Sequence, residues 1–167
     1  MLVVKNGVDP ITEILHVTDD EIEHHIHNKE RWVGNGATED SLTPYTLTSG
    51  NGVFGTETLI LDTGDTPIQS GKRFFDFNKM EVISVSSATV YVIRIIYGTG
   101  TVAAAESAGQ YTTLTMIATG IGANISGFPI EIRMPRLAVG NKVWVKIKNA
   151  TNLATITALF GLHEYDD

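Results

Sequence analysis

The sequence predicts an all-β fold, an antiparallel β-sandwich of jelly-roll type preceded by one short N-terminal amphipathic helix, and three observations carry that expectation. Between 128 and 165, apolar and polar residues alternate with period two. Val143, Val145 and Ile147 alternate with Lys142, Trp144, Lys146 and Lys148; Ile130, Ile132 and Met134 with Glu131 and Arg133; Ile156, Ala158 and Phe160 with Thr155 and Thr157. Upstream, short apolar runs are separated by turn residues such as Ser49-Gly50-Asn51-Gly52, Thr63-Gly64-Asp65 and Gly98-Thr99-Gly100. Before these runs, Thr18-Asp19-Asp20-Glu21 has the form of a helix start, because Thr18 can accept from the amide three residues on while Glu21 reaches back.

Taken in order, residues 1–10 form an arm. The helix is expected over 21–33: Val17 and Ile22 stand as a hydrophobic staple, the acidic first turn suits the positive end of the helix dipole, and Gly34 stops it. Ile22, Ile26 and Val33 with Trp32 make a narrow apolar stripe. A polar linker over 34–41 separates this unit, 1–34, from a β domain, 35–167. Strands are expected near 42–48, 56–62, 72–77, 80–86, 89–97 and 111–119, with Asn78-Lys79 turning between the third and fourth. The three final runs then close the domain as a meander. Strand pairing is not set by periodicity, so an immunoglobulin-like sandwich remains open. The strand at 89–97 is apolar on both faces, Val90, Val92 and Ile96 on one and Tyr91, Ile93, Ile95 and Tyr97 on the other. Something must cover its outer face, either the N-terminal helix or a neighbouring subunit. Residues 102–109, rich in Ala, read as a crossover loop with a helical turn.

Composition bounds the chemistry. A chain of 167 residues is long enough to bury roughly 70% of its unfolded surface as one domain, with no need of a disulfide or metal. It contains no cysteine, which removes thiol catalysis and Cys-ligated metal. A net charge of -7 disfavours nucleic acid as a partner, and the basic group Lys142, Lys146 and Lys148 reads as a solvated strand face. No apolar run is of membrane-spanning length and no signal sequence is evident, so folding in a cytoplasm without a membrane partner is expected.

The candidate motifs weigh against enzymatic chemistry. His24, His25, His27 and Glu30 suggest a metal set, and His25-x-His27 with Glu30 is similar to the cupin metal pattern. The gap to Glu30 is too short, however, and on a helix only His24 and His27 share a face. A solvated or interface histidine cluster is the expectation, with no metal. Gly50-Asn51-Gly52-Val53-Phe54-Gly55 matches the letters of a dinucleotide loop but precedes a strand where a helix is needed. Asp62, Gly64 and Asp65 form at most a weak calcium corner. No nucleophile elbow and no Ser/His/Asp set is assembled, so neither a catalytic residue nor a cofactor is expected.

Two segments resemble small virion structural proteins of tailed bacteriophages: His25-Ile26-His27-Asn28-Lys29-Glu30-Arg31-Trp32-Val33-Gly34, and Pro129-Ile130-Glu131-Ile132-Arg133-Met134-Pro135-Arg136-Leu137 continuing to Val143-Trp144-Val145-Lys146. The resemblance implies a non-enzymatic capsid decoration (cement) protein. Such a protein would form a homo-oligomer, with a trimer favoured, and bind the major capsid protein on the virion surface. The interface residues expected are Ile22, His24, Ile26, His27, Trp32 and Val33 from the N-terminal unit and Tyr91, Ile93 and Ile95 from the doubly apolar strand. The alternative is a receptor- or carbohydrate-binding module of a tail or fibre, presenting an aromatic shelf in the loops 48–55 and 118–128.

Overall fold

The computed structural model describes residues 30–35, 43–62, 68, 71–123 and 129–166. Within them the chain runs β1 (Glu30–Val33), β2 (Tyr45–Asn51), β3 (Thr58–Asp62), β4 (Phe74–Val85), β5 (Val90–Gly98), α1 (Val102–Ser107), β6 (Tyr111–Ile117), β7 (Gly122–Ala123), β8 (Ile130–Glu131), β9 (Leu137–Ala138), β10 (Lys142–Asn149) and β11 (Thr155–Tyr165). The all-β expectation holds. The strands form one curled, mixed sheet in the order β6-β5-β10-β2-β11-β4-β7, with β1 added to β11, β3 to β10, and β8 and β9 to β4.

The curl brings both halves of the sheet onto a single core. Tyr91, Ile93 and Ile95 of β5 and Val143, Val145 and Ile147 of β10 meet Phe75, Phe77, Met80 and Val82 of β4 and Ile156, Phe160 and Leu162 of β11. The rings of Phe77 and Phe160 lie 5.7 Å apart, and Tyr45 meets Phe160 edge-on. The period-two positions read from the sequence therefore point inward as expected, including Ile132, which is buried although it lies outside β8.

Several expectations are corrected. The final runs are not a meander: β2 stands between β10 and β11, parallel to β10 (Ile147 opposite Ser49) and antiparallel to β11 (Thr155 opposite Thr48). The parallel pair departs from a purely antiparallel design. No turn occurs at Asn78-Lys79. Strand β4 is continuous there, and Asn78 is the extra residue of a bulge, with Gly161 of β11 opposite Lys79 and Leu162 opposite Phe77. Gly161 is required there, because a Cβ would stand 2.6 Å from Lys79 Cγ. The run from Ile130 is a strand for only two residues before Pro135, and the edge of β4 is taken up in pieces by β7, β8 and β9.

The expected helix 21–33 is corrected at its end. Glu30–Val33 is strand β1, antiparallel to β11 with Arg31 opposite Leu162. Strand β2 pairs with β11 only from Thr155 to Ala158, so the ladder groups beyond it need another partner, and β1 supplies it. That demand outweighs local helix propensity. The remainder of the expected helix lies outside the described residues.

The outer face of β5 is covered from within the chain at Ile96, while Val90 on the same face stays 48% exposed. Ile96 and Trp144 pack beneath Val102 and Ala105 of α1. Thr101 caps this helix, its hydroxyl accepting from the Ala104 amide.

Candidate functional site

Five of the exposed aliphatic side chains among the described residues lie at one end of the curled sheet. Asn149 at the close of β10 lies opposite Asn51 at the close of β2 and Tyr91 near the start of β5. Val90 pairs with Ile117, the last residue of β6, and Val85 at the end of β4 pairs with Ile156 near the start of β11. The connections 52–57, 86–89, 118–121 and 150–154 therefore share that end. On them or beside them stand Val53 (61% exposed), Val90 (48%), Ile117 (71%), Ile121 (70%) and Leu153 (66%).

A buried polar network fixes these loops. Asn149 Nδ2 donates to Thr89 Oγ1 (2.8 Å) and to the Val90 carbonyl (3.0 Å), while its Oδ1 accepts from the Thr151 amide (2.7 Å). The Ser87 amide donates to Tyr91 Oη at 3.0 Å, and that hydroxyl donates to the Thr155 carbonyl at 3.3 Å. Ser49 Oγ donates to the Thr151 carbonyl at 3.1 Å. With Ser49, Ser87 and Asn149 all buried, the loops are joined through satisfied bonds, which makes them a preorganised surface.

Leu153 is the exceptional residue of this surface. Its φ is 55°, the only positive value at a non-glycine among the described residues. The left-handed conformation costs an L-residue about 1–2 kcal/mol, and glycine or asparagine would avoid most of that. A branched apolar side chain held there and facing water is the combination found where strain serves a function.

Two polar clusters elsewhere are internally committed. On the outer face of β4 and β11, Tyr165 Oη donates to Asp76 Oδ2 at 2.8 Å, and Asn78 Nδ2 donates to His163 Nε2 at 3.0 Å. His163 Nδ1 lies 3.5 Å from Asp76 Oδ1. That arrangement fills the imidazole lone pair a general base would need. Burial and the bond to Asp76 push the Tyr165 phenol up to about 12, which opposes use as a nucleophile. On the outer face of β5 and β10, Arg94 is stacked between the rings of Phe54 and Tyr111, 4.3 Å from each centroid. Glu106 of α1 accepts from Arg94 (3.0 Å) and Lys146 (2.8 Å). The bond from Lys146, then that from Arg94, holds its carboxyl below the usual range.

Of the residues expected at an interface, Trp32, Val33, Tyr91, Ile93 and Ile95 are among the described ones. Ile22, His24, Ile26 and His27 lie outside the described residues. Val33 joins the core, and Trp32 lies under Lys79 Nζ, 4.9 Å from the ring centroid. Tyr91, Ile93 and Ile95 are wholly buried within the chain's own core, because the curl of the sheet closes over them. The basic residues are spent in part internally, Lys142 on Asp62 at 2.5 Å and Lys146 on Glu106. Asp62, weighed in the sequence as a weak calcium corner, is thus ion-paired; 64 and 65 lie outside the described residues. No set of three or more metal-ligating side chains converges among the described residues.

No family model, curated protein or solved structure matches this chain. The alternative reading places an aromatic shelf in the loops 48–55 and 118–128, and their described parts lie at the apolar end. What they present is aliphatic: Phe54 is held against Arg94, and Val53 and Ile121 face solvent. Leu153 has a faint sequence signal, a lone leucine in the turn Asn149-Ala150-Thr151-Asn152-Leu153. Its backbone conformation has none.

Proposed function

We propose that this chain is a non-enzymatic structural protein of a tailed-bacteriophage virion, made in the host cytoplasm, that docks its apolar loop end onto a repetitive protein lattice as a capsid decoration protein does on the major capsid protein. The observation that carries the reading is Leu153, a strained leucine offered to solvent on a loop that buried hydrogen bonds hold fixed. An aliphatic side chain of this kind fits an apolar pocket on a protein, and repetition of a modest contact across a shell gives avidity. The jelly-roll reading belongs to this proposal. Its support is the nesting of β4 with β11 around β5 with β10, the pairing of a rolled-up hairpin. Self-association is part of the same reading. So is a role for 1–29, with Ile22, His24, Ile26 and His27, as an arm reaching the capsid protein from the point where β1 is fixed on β11.

Carbohydrate recognition at a tail is the weaker reading, because Phe54 and Tyr111, the aromatic rings beside these loops, both stack on Arg94 instead of standing free for a sugar. The test is cosedimentation of the purified chain with shells of the phage that encodes it, comparing Leu153→Asn with the parent. Asparagine tolerates the left-handed conformation, so the variant should fold at least as stably. Loss of a leucine that docking would bury should weaken shell binding about ten- to a hundredfold. Undiminished binding by the folded variant would overturn the docking assignment. Because β1 is built into the sheet, truncation of the arm should end at residue 29, and that chain should bind shells less tightly than the parent.

A further inference from the structure

Strand β6 is, among the described residues, an edge with none of the usual guards. Among the described residues its one strand partner is β5, in an unbroken register from Ile96 opposite Tyr111 to Val90 opposite Ile117. Natural edges are blunted by charge, proline, bulges or brevity. The other margins carry such devices: β7, β8 and β9 are two residues each, and β3 has a register shift against β10. Strand β6 has seven residues, Tyr-Thr-Thr-Leu-Thr-Met-Ile, with no charge in a chain of net charge -7.

The backbone of this edge is aimed outward at defined residues. Tyr97 N donates to the Gln110 carbonyl and Ala118 N to the Thr89 carbonyl, both at 3.0 Å. In the antiparallel alternation, Thr112, Leu114 and Met116 therefore exchange bonds with β5, while Thr113, Thr115 and Ile117 turn N–H and C=O to the open side. The side chains alternate too: Tyr111, Thr113, Thr115 and Ile117 are exposed, and Thr112, Leu114 and Met116 are half-buried.

We infer that β6 pairs antiparallel with β6 of a second copy across a twofold axis at Leu114, joining two curled sheets into one. The sequence is self-complementary about that residue. Thr113 falls opposite the second copy's Thr115, Tyr111 opposite its Ile117, Thr112 opposite its Met116 and Leu114 opposite itself. Threonine pairs and aromatic pairs with β-branched residues are among the favoured cross-strand neighbours. The outward-aimed backbone groups of 113 and 115 then bond each other reciprocally, and Leu114 meets its mate in a non-hydrogen-bonded pair. An uncharged edge lets two acidic molecules approach where they repel least. The contact is isologous and closes at two copies, whereas the trimer implied by the resemblance needs a heterologous surface. This inference does not depend on the virion reading and is decided without a shell.

Sedimentation of the purified full chain at micromolar concentration should give a dimer. Thr115→Pro removes an N–H that β5 does not use, so circular dichroism and the melting profile should be retained. Because the change deletes two symmetry-related bonds, dimerisation should weaken at least about thirtyfold. In the cysteine-free chain, Leu114→Cys should form a disulfide-linked dimer under mild oxidation, since the paired Cα atoms would lie about 4.5 Å apart. Thr113→Cys, two residues out of register with its mate, should not. A parent chain that sediments as monomer or trimer, a folded Thr115→Pro variant that stays dimeric, or equal cross-linking at 113 and 114 would each overturn the inference.

Discussion

Glu164→Gln tests the bond that holds the N-terminal strand on the sheet. The Glu164 side chain is fully buried and that of Arg31 is 8% exposed, with Arg31 Nε 3.1 Å from Oε2 and Nη2 2.9 Å from Oε1. Arg31 lies opposite Leu162, and Glu164 shares the face of Leu162, so the fork sits against the core. Two opposed terms set the net worth of such a pair: desolvation of both ions is large, and their attraction in a dry site roughly offsets it. Removing one partner leaves only the penalty, about 3–5 kcal/mol. If β1 instead peels away to release Arg31 into water, the loss includes the buried Val33, about 2 kcal/mol, together with the β1 ladder bonds, and the cost is similar. Thermal denaturation followed by circular dichroism should therefore show the midpoint falling by roughly 6–20 °C for a chain of this length. The double variant Arg31→Leu/Glu164→Leu should recover most of the loss, because no charge is left stranded. A single variant within about 2 °C of the parent, or a double variant no better than the single, would refute the reasoning.

Gly55→Ala should cost about 3 kcal/mol or more, because its Cβ would stand 2.0 Å from the Thr48 carbonyl oxygen, a backbone atom with little room to yield. Urea titration checks this, with Gly120→Ala, which meets open space, expected within about 0.5 kcal/mol of the parent. The raised Tyr165 phenol predicts an alkaline effect. Its protonated form contributes stability that is complete below the ordinary value of 10.0 and is lost as pH rises through about 12. Stability should fall across that window, Tyr165→Phe should lack this component, and a phenolate absorbance step near 12 should disappear with it.

Much of the interior was legible in the chain because side-chain direction in a strand depends only on position. Val143, Val145, Ile147, Ile156, Ala158 and Phe160 alternate in the sequence and lie inside. The double apolarity of β5 also signalled a cover, and the Ala-rich stretch after it proved to be the helix that supplies it. Partner choice was not legible. β2 divides its length between β11 and β10, and nothing local in Tyr45–Asn51 announces it. The N-terminal boundary failed for the same reason, since Glu30–Val33 takes its conformation from a vacancy on β11. Of the apolar end, the sequence indicated the loops; the assembly of those loops on one surface follows from register.

The sequence by itself determined an all-β chain, free of thiol chemistry, with its inward faces chosen by a period of two. Only the tertiary structure decided that Tyr91, Ile93, Ile95 and Ile96 of the doubly apolar strand are buried within one copy, that a leucine is held in a left-handed turn facing water, and that an uncharged strand is left at the margin. The physical reason is that alternation is encoded residue by residue. Pairing instead reflects competition among strands far apart in sequence for the same backbone donors and acceptors, and what remains exposed is whatever that competition leaves unfilled.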